Sequence, residues 1–136
     1  MFGRGGFELD VVPIGGVSFG YSNILKTYFK QGKFKGLKSF TGEELTKVSL
    51  DHIIPHSHGG ASVTGNYILT NVKENTMRDT QSIDYYLDRN YKGAMQYIGW
   101  FLSHKVKGFD CLAYALNIIK NINRNSKKYI IKREDI

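Results

Sequence analysis

The stretch from Val48 to Gly60 constrains this chain more than any other. Val48 to Ile54 is apolar and β-branched, and Pro55 ends it. A run of that kind reads as a short strand, because proline has no amide to continue a ladder. Gly59-Gly60 then lets the chain turn. Tyr67 to Thr70 reads as a second short strand, and from about Asn71 the pattern becomes helical. Strand, loop, strand and helix follow each other within about thirty residues. That order predicts a hairpin with a helix folded against it.

Residues that suit phosphodiester chemistry sit within that frame. Asp51 and His52 are neighbours on the first strand, so their side chains should face opposite ways. A histidine of ordinary pKa can take a proton from water near neutrality. A carboxylate and an amide oxygen are hard ligands, which favour magnesium or manganese over zinc. Asp51 and Asn75 are the two such ligands by position. Asn66, at the start of the returning strand, can bridge loop backbone groups and hold the hairpin in shape, and so hold the histidine.

The segment Asp51-His52-Ile53-Ile54-Pro55, the loop glycines, Asn66 and Asn75 resemble the HNH, or His-Me finger, endonucleases. The pattern is similar to the subgroup with asparagine at the last motif position, as in the HNH domain of CRISPR RNA-guided nucleases. The resemblance covers about 25 residues, with a weaker extension over Ser39 to Leu50. It implies an α+β fold with a ββα-metal core and additional C-terminal helices. It also implies His52 as general base, Asn66 beside it in the catalytic machinery as the structural asparagine, and Asp51 and Asn75 as ligands to Mg2+ or Mn2+. Many relatives hold the hairpin with a cysteine-bound zinc. Here the upstream turn reads Ser39-Phe40-Thr41-Gly42, and Cys111 is the only cysteine. No structural zinc is expected, and the hairpin must be held by packing against the C-terminal helices.

Charge supports a polyanionic partner. Nineteen Lys and Arg against twelve Asp and Glu give a net +7. DNA is the expected partner, with Lys33, Lys35, Lys38, Lys73, His56 and Arg78 as its contacts. Arg78 lies one helical turn beyond Asn75, where a basic residue meets a phosphate. Lys26, Lys30, Lys33, Lys35 and Lys38 are interleaved with Tyr28, Phe29 and Phe34. Those aromatics either stack on bases or belong to the core. One such site cuts one strand, so double-strand cleavage would need a homodimer or a second visit.

The rest of the chain is read more plainly. One domain is expected over 1–136, with the core over about 37–90, a basic segment 1–36 before it and a helical part 91–136 after it. Phe7 to Val11 is strand-like and Gly15-Gly16 breaks it. Ile24, Leu25, Tyr28 and Phe29 share a helical face that Ser22 would cap. Ser39 to Leu45 reads as a tight hairpin turn. Two apolar stripes follow. One is Ile83, Leu87, Tyr91, Ala94, Ile98 and Leu102, with a break near Tyr91 to Gly93; the other is Leu112, Ala115, Leu116, Ile119 and Ile122, after a break at Lys107-Gly108. The basic residues of the tail, from Lys120 to Arg133, form either a nucleic-acid arm or a solubilising end. His58 and His104 are read as ordinary surface histidines, and Trp100 as packed. No apolar run is long enough to span a bilayer, and no signal-type run follows Met1, so an intracellular, cytoplasmic location without membrane contact is expected. Two other readings stay open: a non-catalytic nucleic-acid-binding or assembly module on the same fold, and a nuclease for RNA or branched DNA.

Overall fold

The computed structural model describes residues 18–136, in an α+β arrangement. Helix α1 (Ser18–Lys30) leads to strand β1 (Val48–His52). Strand β2 (Tyr67–Asn71) returns antiparallel, and helix α2 (Val72–Arg78) follows it directly. Helices α3 (Ile83–Ser103) and α4 (Cys111–Asn125) complete the fold. The expected strand at Phe7 to Val11 and its break at Gly15-Gly16 lie outside the described residues. Ser22 falls inside α1, which begins four residues earlier at Ser18.

The two strands pair with Leu50 opposite Leu69, Asp51 opposite Ile68 and His52 opposite Tyr67. A two-stranded sheet is marginal alone and needs packing on a helical layer. Helices α3 and α4 supply it, together with α1. Leu25 of α1, Phe40, Ile53, Ile68, Leu69, Leu87, Ile98, Phe101, Ile118 and Ile122 are all fully buried in one continuous cluster. The outer edge of β2 would leave backbone groups unpaired, and two buried phenols meet them. The Leu69 amide donates to the Tyr97 hydroxyl at 3.0 Å, and the Tyr114 hydroxyl donates to the Tyr67 carbonyl at 2.6 Å.

The turn at Ser39 to Leu45 forms as expected. The Ser39 amide donates to the Glu43 carbonyl, and Lys38 bridges Glu44. Packing holds this turn. Phe40 is fully buried, stacked on Tyr86 with centroids 5.8 Å apart and edge-on to Tyr97 at 5.2 Å. Helix α3 approaches so closely that a Cβ at Gly93 would stand 1.8 Å from the Phe40 carbonyl oxygen. Only glycine fits there.

Helix α3 is interrupted close to where a break was expected, by a kink at Asn90, one residue before Tyr91, where φ is −135° and ψ is 27°. Other expectations about the helical parts need correction. The buried face of α4 is Cys111, Tyr114, Ala115, Ile118, Ile119 and Ile122, whereas Leu112 and Leu116 are exposed. Phe34 is buried, and Tyr28 and Phe29 pack on the core, so these aromatics are core residues and not a stacking track. The tail is not a free arm either. Asp88 pairs with Lys128 at 2.7 Å, the Lys127 amide donates to Asp84 at 2.9 Å, and Ile131 is buried. Among the described residues no helix is long and apolar enough to cross a membrane.

Candidate active site

A cleft of about 630 Å³ opens between the end of β1 and helix α2. Asp51, His52 and His56 line it from the strand side, and Asn75, Thr76 and Asp79 from the helix side. The structure thus brings together Asp51, His52, His56 and Asn75 of the expected site. Lys33, Lys35, Lys38 and Lys73 are exposed but lie outside its lining. Lys38 instead borders a smaller groove of about 240 Å³ with Trp100. His58 is exposed, and His104 lies flat on Trp100 at 3.9 Å.

The loop between the strands is shaped by Asn66, which is buried and does not line the cleft. Its Oδ1 accepts from the Ile54 amide at 2.9 Å, and its Nδ2 donates to the carbonyls of Ile54 at 3.0 Å and Ala61 at 2.8 Å. The side chain thus pairs with Ile54 as another strand residue would, and continues the ladder past its last backbone pair. Gly60 makes this possible, since a Cβ there would stand 1.8 Å from the Ile54 carbonyl oxygen. From the far side α4 supports the loop, with Asn121 Nδ2 donating to the Gly65 carbonyl at 2.9 Å. Asn66 therefore fixes where β1 ends, and with it His52.

His52 is half-buried, with its ring 4.5 Å from that of its cross-strand partner Tyr67. Its Nε2 is buried and has no hydrogen-bond partner among the described residues. Burial lowers its pKa from the ordinary 6.5, with smaller downward pushes from His56 and Arg78, while the Asp51 carboxylate pulls upward. The imidazole is thereby biased toward its neutral form, which a base requires.

Asn75 reaches back to β1. Its Nδ2 donates to Ser49 Oγ at 3.0 Å and to the Leu50 carbonyl at 3.1 Å. A carbonyl cannot donate, so this contact fixes which end of the amide faces the strand. Both N–H bonds are used and Oδ1 is left as an acceptor.

Arg78 departs from expectation. It is buried, 2 % exposed, and cannot meet a phosphate. Its Nη1 donates to Asp51 Oδ2 at 3.1 Å and to the His52 carbonyl; its Nη2 donates to the Ile53 carbonyl at 2.7 Å and the Gln81 carbonyl at 3.1 Å. All four terminal N–H bonds are thereby occupied. The guanidinium also lies 4.2 Å from the centre of the Tyr86 ring. Asp51 is buried as well, and desolvation raises its pKa above 3.8 while Arg78 resists the rise and favours the ionised form.

Of the expected ligands, one oxygen of Asp51 and Oδ1 of Asn75 are available to a cation. Among the described residues no three His, Cys, Asp or Glu side chains gather into a metal-holding group. A small set of hard oxygens suits magnesium or manganese, which keep several waters and bind through one or two carboxylates and substrate phosphates. Asp79, which the sequence reading passed over, adds a second carboxylate to the cleft. It ends α2 with φ 50° and ψ −121°, the positive φ being one that side chains rarely adopt. No protein-family model, no curated protein and no solved structure matches this chain.

Proposed function

We propose that this chain is a metal-dependent endonuclease of the HNH, or His-Me finger, type, with a ββα core formed by β1, β2 and α2, hydrolysing DNA phosphodiester bonds. The observation that carries the reading is the shared cleft of Asp51, His52 and Asn75, with the Asn75 amide turned so that its oxygen is free.

A divalent ion held by Asp51 and Asn75 would supply Lewis-acid stabilisation of charge on the phosphoryl and leaving oxygens. The protein's own part follows from the geometry. Nε2 of His52 is buried, so the base in this reading is Nδ1. It accepts the proton of a water as the oxygen forms its bond to phosphorus. The bond from phosphorus to the 3′ oxygen breaks, and that oxygen gains a proton from solvent. The products are a 5′-phosphate and a 3′-hydroxyl. Asn66 holds the strand end rigid and takes no part in the chemistry. His56 is exposed and lines the cleft, which suits it to a phosphate contact.

The exposed lysines and the net charge of +7 support a nucleic acid as partner. Water as nucleophile does not distinguish DNA from RNA or a branched junction. Competition among duplex, branched and single-stranded substrates separates them.

Supercoiled plasmid tests the function. The parent should nick it with magnesium or manganese and not with chelator, and His52→Ala should not nick it. Retained DNA binding with no cleavage under any divalent ion would favour a non-catalytic binding module instead.

A further inference from the structure

We propose that Arg78 is the positioning residue of this site, a buried tether that aims the Asp51 carboxylate into the cleft and locks α2 to the end of β1. The proposal rests on the metal-site reading above and assigns Arg78 a role other than phosphate contact.

The geometry argues for it in three steps. The guanidinium engages only Oδ2 of Asp51, at 3.1 Å, so the carboxylate is rotated with its other oxygen left over. The same guanidinium binds the carbonyls of His52 and Ile53, the residues that carry the base and follow it. It comes from the last turn of α2, the helix that bears Asn75. One planar group thus sets the relative position of both oxygen donors and the imidazole. Its own freedom is removed by the Gln81 carbonyl and by the Tyr86 ring beneath it.

A lysine at 78 would keep the charge but lose this function. An ammonium is a point donor on a flexible stem with three donors, and it cannot span the one carboxylate and three carbonyls that the guanidinium engages. Groups that orient metal ligands are worth about 10-fold to 100-fold in metal affinity or activity.

The test compares the parent with Arg78→Lys and Tyr86→Leu. The second variant removes the ring under the guanidinium and leaves every polar partner of Arg78 in place, so it carries the test if Arg78→Lys fails to fold. Three quantities are read: Mn2+ affinity by titration of the protein without DNA, kcat, and KM for a duplex. The expected result is Mn2+ affinity weakened about 10-fold or more in Arg78→Lys, a smaller loss of the same kind in Tyr86→Leu, a fall in kcat, and KM unchanged. A raised KM with Mn2+ affinity and kcat intact would mark Arg78 as a phosphate contact and overturn the proposal. Parental values in all three quantities would overturn it too. Asp51→Asn separates the two levels. If the parent binds no Mn2+ that Asp51→Asn abolishes, the metal-site reading itself has failed and the proposal falls with it. If Asp51→Asn abolishes binding while Arg78→Lys does not weaken it, only the tether is wrong.

Discussion

Asn75 and Leu50 are joined by a hydrogen bond of 3.1 Å that runs from the side-chain amide of α2 to a backbone carbonyl of β1. Its direction decides which atom of Asn75 is free for the cleft. The contact ties the helix to the strand and leaves the amide oxygen free as an acceptor at the same time.

Asn75→Ala should therefore separate fold from function. The lost hydrogen bonds lie at a partly buried site, and each contributes about 1 kcal/mol to stability. A modest drop in Tm is expected. Metal-dependent nicking should fall at least as far as it does when a partner that orients a ligand is lost, about 10-fold to 100-fold. Thermal melts and single-turnover rates check both halves. Full activity in a folded Asn75→Ala would remove it from the ligand set.

The turn at Phe40 rests against α3 with no room for a methyl group at Gly93. Gly93→Ala forces the helix off the turn, and such overpacking costs about 1–3 kcal/mol. Chemical denaturation should show the loss with an unchanged slope. A chelator should not unfold the parent, since aromatic packing holds this turn, and it should remove only the stabilisation that metal binding at the cleft adds.

Asp79 offers a sharper test of whether the cleft stores strain. Its φ of 50° suits glycine, and non-glycine residues held in such regions carry about 1–3 kcal/mol. Asp79→Gly should raise stability. If activity falls as stability rises, the carboxylate takes part in the site. If activity is kept, the conformation serves only to end α2.

The pH dependence follows from His52. Its pKa is lowered from 6.5, chiefly by burial, with His56 and Arg78 lowering it further and Asp51 opposing. A base must be neutral, so single-turnover cleavage should lose rate only as pH falls below 6.5. The sign for stability is the same. A histidine with a depressed folded pKa contributes stability that is present above 6.5 and lost as pH falls through the folded value. A rate already half lost above pH 7 would contradict the assignment.

Much of this arrangement was legible in the sequence because it depends on local pattern. The apolar runs at Val48 to Ile54 and Tyr67 to Thr70 located β1 and β2, although β1 stops at His52, and the pattern of Asp51, His52 and Asn75 picked out three residues that line one cleft. Arg78 was misread because spacing alone does not say which way a basic residue points. Its burial depends on the last turn of α2 folding back over the strand end, a tertiary fact. Leu112 and Leu116 fit an apolar stripe by hydropathy, yet Tyr114 takes a place on the buried face while both leucines are exposed. That tyrosine is fully engaged through its hydroxyl, which a hydropathy pattern cannot register. Asp79 left no signal, since its backbone angle is set by how α2 ends.

The central claim is that His52 removes a proton from a water that attacks the phosphate. The most direct measurement maps the ends left on a defined duplex by the parent and by His52→Ala, with magnesium or manganese and with chelator. The account predicts 5′-phosphate and 3′-hydroxyl ends from the parent, only with metal, and none from the variant. Equal cleavage by His52→Ala, or ends bearing a 3′-phosphate, would contradict it.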